Sequence, residues 1–155
     1  MSPTSTPKQE MQLTTEFEHA EQSPGYLLWR CTNRWQAAIR ATLKPFGLTH
    51  VQFVLLASLL WIQTDGPVTQ RHLAEHAATD PMMTSQVLRA LETRGLVKRS
   101  AFPGDNRAWS LRVSTKGGAL VNRAIAEVER CDREFFASLG ERQAELTKLL
   151  LELVI

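Results

Sequence analysis

Residues 80 to 116 constrain this chain more than any other stretch. Asp80 followed by Pro81 reads as a helix N-cap with proline at the first helical position, where its missing N–H is not needed. Val87, Leu88 and Leu91 are expected to face a core, and Gly95 stands where a helix closes on a left-handed residue. Two alternating segments follow, Leu96 to Phe102 and Trp109 to Val113, which predict strands joined by a loop from Pro103 to Ala108.

A helix, a stop and a hairpin with a charged tip have the shape of a winged helix, which usually reads DNA. Upstream, Val68 is placed to pair briefly as an edge strand. Thr69 is expected to cap a short helix carrying Leu73, Ala74 and Ala77. The Ala78-Thr79 link to the Asp80 helix makes a helix-turn-helix, with the second helix as the recognition element. Turning Val87, Leu88 and Leu91 inward puts Thr84, Ser85, Gln86 and Arg89 on or near the outer face. Gln and Arg can bond bidentately to adenine and guanine edges, and Ser and Thr serve bases or phosphates. A merely solvated helix face is the plainer alternative. In the hairpin, Arg107 suits an A/T-rich minor groove, where the potential is most negative, and Asp105 is expected to brace its guanidinium. Asn106 completes the tip, and Lys98 and Arg99 are candidates for phosphate contacts.

The charge distribution agrees. The formal net charge is only +2, yet residues 81 to 123 hold eight basic side chains against two acidic ones. Residues 1 to 24 hold one basic and four acidic side chains, and residues 124 to 155 hold four and seven. A positive segment between acidic ends suits a phosphate-facing surface carried on a separate scaffold.

A length of 155 residues and a hydrophobic share of 43% point to one globular domain with a real core. Residues 1 to 23 are expected to be a partly disordered arm in which Met11, Leu13 and Phe17 pack on a partner. A helix is expected from Pro24 to about Phe46 with the stripe Leu28, Cys31, Trp35, Ile39 and Leu43. Thr49 caps a second helix, about 50 to 64, apolar nearly all round and therefore central. Thr115 is expected to cap a long helix reaching about Leu139, followed after Gly140 by a last helix with Leu146, Leu149, Leu150 and Leu153. So much apolar surface at the ends, down to Val154-Ile155, calls for a second copy of the chain. The expected fold is mainly α with a small β-hairpin (α+β). A winged helix over 49–117 is flanked by dimerisation helices over 24–46 and 118–155, within one domain spanning 24–155.

No apolar run approaches the roughly 20 residues that span a bilayer, and the N-terminus lacks a secretory signal, so the cytoplasm is expected. Cys31 and Cys131 lack CxxC spacing. His72 and His76 share a helix face with Glu75 between them, but they sit on a helix expected to face DNA or solvent. No nucleophile elbow, P-loop or dinucleotide fingerprint is present, so neither enzyme activity nor a metal or other cofactor is expected.

These residues resemble the MarR (multiple antibiotic resistance regulator) family. The matching positions are Gly47-Leu48-Thr49, Leu73-Ala74, Val87 to Val97 (VLRALETRGLV) and Asp105 to Gly117 (DNRAWSLRVSTKG), within a resemblance covering roughly 24 to 150. The resemblance implies a homodimer on a roughly palindromic operator, usually a repressor, and DNA binding would associate it with the nucleoid. It also implies that Arg107 enters the minor groove with Asp105 bracing it. Many members release DNA on binding a small aromatic or phenolic compound, and Tyr26, Trp29, Arg30, His50 and Trp61 match that pocket. The alternative is a winged helix that senses no ligand or acts through protein contacts. Relatives that sense peroxide carry a cysteine at a position falling near Gly25, so this chain departs from them; Cys31 and Cys131 are expected to be buried and inert.

Overall fold

A computed structural model describes residues 11–155, and the part of the N-terminal arm before residue 11 lies outside them. The chain divides into two compact units, Met1–Arg34 and Trp35–Ile155.

None of residues 11–34 is buried. Met11 and Leu13 are exposed and Phe17 is half-covered. A single 3-10 turn, Ala20–Gln22, forms because Gln22 Oε1 accepts from the amides of Glu18 and His19 at 2.9 and 3.2 Å. Helix α1 (Pro24–Leu43) begins in this unit and ends in the next. Its stripe was expected to be buried throughout, but Leu28 and Cys31 are exposed, because the first unit provides no core for them.

The second unit is built around α2 (His50–Ile62), which buries Phe53, Leu55, Leu56, Leu59 and Ile62. Fully burying one such side chain contributes about 1.5–3 kcal/mol. The helix starts with a reciprocal cap: Thr49 Oγ1 accepts from Gln52 N at 3.2 Å, and Gln52 Oε1 accepts from Thr49 N at 3.1 Å. Around it pack α3 (Gln70–Ala77), α4 (Pro81–Thr93) and α5 (Thr115–Phe136), with Ile39 and Leu43 from the end of α1 in the same core.

Strands β1 (Val97–Phe102) and β2 (Asp105–Val113) pair antiparallel, with Arg99 opposite Leu111 and Ala101 opposite Trp109. Leu111 N also donates to Val68 O at 2.8 Å, the brief edge pairing expected for Val68. The loop expected from Pro103 to Ala108 contracts to Pro103-Gly104. A bulge between Ala101 and Phe102 lets Phe102 pair with Asp105, and Gly104 closes the turn at φ +81°.

The cap of α5 is Ser114, one residue before the Thr115 expected. Its hydroxyl accepts from Gly117 N at 3.0 Å and donates to Gly95 O at 2.6 Å, so the cap also ties α5 to the end of α4. A Cβ at Gly117 would collide with the carbonyl oxygen of Leu96, so only glycine allows this approach. Helix α5 ends at Phe136, short of Leu139, and 3-10 turns over Ala137–Arg142 lead to α6 (Gln143–Val154). No residue of α6 is buried.

Candidate nucleic-acid interface

Asp80 Oδ1 accepts from Met83 N at 2.8 Å and opens α4 as expected. The turn before it depends on Ala78, which holds φ +51°, a left-handed conformation that costs a side-chain-bearing residue on the order of 1 kcal/mol. Thr79 N returns to Ala74 O at 3.0 Å and completes the helix-turn-helix corner.

Of the four residues expected on the outer face of α4, Gln86 and Arg89 are exposed and Ser85 is half-exposed. Thr84 is 0% exposed, which corrects the reading that turned it outward. Its hydroxyl donates to Asp80 O at 2.8 Å and lies 2.7 Å from Thr79 Oγ1, so it serves the corner instead of a base. Thr84, Leu88 and Leu91 form the buried stripe, while Val87 is only half-buried. Met82 and Met83, overlooked in the sequence, lie exposed in the first turn, where apolar side chains can meet thymine methyl groups. Their apolar character at positions off the buried stripe was the available signal.

Asp105, Asn106 and Arg107 are exposed at the start of β2. Asp105 Oδ1 accepts from the backbone amide of Arg107 at 2.9 Å. Among the described residues no ion pair joins the Asp105 carboxylate to the Arg107 guanidinium, which corrects the expected brace. The carboxylate shapes the tip by the local bond that aspartate makes two residues ahead, leaving the guanidinium projecting. Lys98 is exposed. Arg99, grouped with it for phosphate contact, instead grips Glu92 of α4 through two bonds, Nε–Oε1 at 2.9 Å and Nη2–Oε2 at 3.2 Å. A half-buried bidentate pair of this kind holds the hairpin against α4.

Three further bonds tie this region to its surroundings. Arg94 Nη1 donates to Gly47 O at 2.8 Å, Lys116 Nζ donates to Arg94 O at 3.1 Å, and Gln63 Oε1 accepts from Val113 N at 2.9 Å. Among the described residues every buried side-chain nitrogen and oxygen has a partner.

The residues matched to a ligand pocket divide between the two units. In the first, Arg30 lies 5.8 Å over the Tyr26 ring and 3.9 Å from Glu21, and Trp29 is exposed. In the second, the His50 ring meets Trp35 edge-on at 5.1 Å, and Trp35 Nε1 donates to Asp132 Oδ1 at 2.8 Å. Burial lowers the pKa of His50 and the nearby Arg40 charge adds to this, against a smaller upward pull from Asp132. Trp61 is exposed. Cys31, expected to be buried, is exposed, and Cys131 is half-buried. His72 and His76 are exposed on α3, where Glu75 is engaged by Arg71 at 2.8 Å.

A family model described as MarR family matches residues 48–109. The HTH-type transcriptional regulator YdcH of Bacillus subtilis (strain 168) is 40% identical over 140 residues, 90% of this chain and 95% of that protein. The HTH-type transcriptional repressor Rv2887 of Mycobacterium tuberculosis (strain ATCC 25618 / H37Rv) is 36% identical over 134 residues, 86% of this chain and 94% of that protein. The structure of Rv2887 in complex with salicylic acid aligns with a TM-score of 0.65 at 32% identity, covering 86% of this chain and 96% of that one. The structure of BpsR from Bordetella bronchiseptica, solved to explain regulation of its DNA binding by 6-hydroxynicotinic acid, aligns with a TM-score of 0.79 at 26% identity, covering 87% and 95%. Similar to such a relative over nine-tenths of its length, and folded with a wing after its helix-turn-helix, the chain belongs to the MarR family of transcriptional regulators.

Proposed function

We propose that the protein is a homodimeric repressor that binds a palindromic operator and is released by a small aromatic or phenolic ligand. The observation that carries the DNA reading is where the unpaired cations stand. Within the basic segment Glu92 is taken by Arg99 and Asp105 by an amide, and Lys98, Arg107 and Arg112 are exposed with no carboxylate partner among the described residues. Arg89 and Gln86 on α4 supply base-reading chemistry beside them.

Residues 49–117 form the reading part in this proposal, and 24–46 with 118–155 form the dimer. The unburied apolar surface of α6 supports the second assignment. The salicylic acid complex of Rv2887 and the 6-hydroxynicotinic acid response of BpsR support a ligand-controlled state. Among the described residues no single helix is long and apolar enough to cross a membrane. We place the protein on the nucleoid in the cytoplasm, because an operator is found there.

The test begins with DNA selected from a random pool and screened for palindromy. Arg107→Ala is expected to weaken binding to that DNA by about 1–3 kcal/mol, roughly five- to 150-fold, while sedimentation shows an intact dimer. Unchanged affinity at moderate salt overturns the wing assignment.

A further inference from the structure

A cavity of about 580 Å3 opens between the end of α2 and the first half of α5. Its walls are apolar where Leu60 faces Val121 and Ile125. Trp61 stands at the edge with 78% of its surface exposed, so one indole face is open to a guest. The polar lining of the cavity is the neutral Thr64 and Asn122 together with the exposed carboxylates of Asp65 and Glu129. Among the described residues no lysine, arginine or histidine lines the cavity, and neither carboxylate belongs to an ion pair. The neighbouring arginine, Arg130, is taken by Glu127 and Glu134. Thr64 does not neutralise the site either: its hydroxyl donates to Trp61 O at 2.9 Å and only grazes Asp65 at 3.5 Å.

This lining discriminates by charge. A phenolate or aromatic carboxylate entering here would bring its negative charge towards two carboxylates with no cation to offset them. An organic cation finds apolar walls for its hydrocarbon, an indole face for its charge and carboxylates for its field. We propose that this cavity binds a lipophilic organic cation, of the aromatic ammonium or phosphonium class, and disfavours the anionic phenolic acids. The cavity also adjoins a link to the hairpin. Trp61 and Asp65 flank Gln63, whose side-chain oxygen accepts the Val113 amide of β2 at 2.9 Å. An occupant that shifts the end of α2 therefore pulls on the hairpin strand, a consequence that rests on the ligand-controlled reading above.

Tetraphenylphosphonium and tetraphenylborate have nearly the same shape and opposite charge, and they isolate this property. Isothermal titration of the full chain is expected to show the phosphonium binding at least tenfold more tightly than the borate. Asp65→Asn and Glu129→Gln should each narrow that ratio severalfold, and Trp61→Ala should weaken the phosphonium. Equal affinity for the two ions, absence of phosphonium binding, or binding unchanged in all three variants overturns the site. Fluorescence anisotropy of labelled operator reads the regulatory link separately. Phosphonium binding that leaves operator affinity unchanged supports the site and removes its link to the hairpin. Release of operator by salicylic acid from a protein that ignores the phosphonium overturns the cation site and leaves ligand control standing.

Discussion

Helices α2 and α6 are nearly equal in length, thirteen and twelve residues, and both are dense in leucine. Helix α2 is reached by α3, α4, β2 and α5 and buries five side chains. Helix α6 follows the left-handed Gly140 and packs chiefly on the turns that precede it, leaving Leu149, Leu150, Leu151 and Leu153 exposed and Ile155 97% exposed. Apolar composition states that a helix must be covered, and only the surrounding chain decides by what. For α2 the cover is intramolecular. For α6 no described residue supplies it, and a second copy is the cover we propose.

The largest effect is expected at α6. Deleting 149–155 should abolish the dimer in sedimentation and, with it, tight binding to a two-fold operator. A shortened chain that still sediments as a dimer breaks the contrast. Next is Leu56→Ala in α2, at a side chain with no exposure. It should cost about 2–5 kcal/mol in denaturant unfolding, since a cavity remains where the isobutyl group was. A loss that disappears at high protein concentration would mean that α2 too depends on the second copy.

The smallest effect concerns His50 at the head of α2. Its folded pKa lies below the ordinary 6.5, chiefly because of burial, so the unfolded chain takes up its proton first as the pH falls. The contribution is complete above pH 6.5 and is lost below it, down to the lowered folded value. Denaturant midpoints between pH 7 and pH 5 should fall less steeply in His50→Asn than in the parent. Equal slopes would show that other groups set the pH dependence.

Much of this architecture was legible in the residues themselves. Thr49, Thr69 and Asp80 each accept from an amide three residues on, and Gly95 closes α4 at φ +70°. Such signals are local, and local chemistry decides them. The misreadings arose where a residue served two neighbours at once. Thr84 was assigned outward because Val87 was turned inward with Leu88 and Leu91, yet Thr84, Leu88 and Leu91 stand at i, i+4 and i+7, and this spacing already placed it inside. Asp105 was paired with a guanidinium because opposite charges attract, but the amide two residues ahead is nearer and already in place. Arg99 was assigned to phosphate contact, but Glu92 lies seven residues away in the chain and only the packing of the hairpin on α4 brings the two together. At the ends of α1 and α6 the stripes were legible and their cover was not.

One consequence of Gly117 concerns mechanics. The close approach it allows, with the Ser114 hydroxyl on Gly95 O, leaves the start of α5 no slack against the base of the hairpin. From there α5 runs twenty-two residues to Phe136, about 33 Å at 1.5 Å per residue. A tilt of about 3° over such a length moves one end by roughly 1.7 Å relative to the other. The helix is therefore a lever, soldered to the wing at one end, and a tilt of only a few degrees is enough to move Phe136 and the base of the hairpin past one another by about the width of an atom.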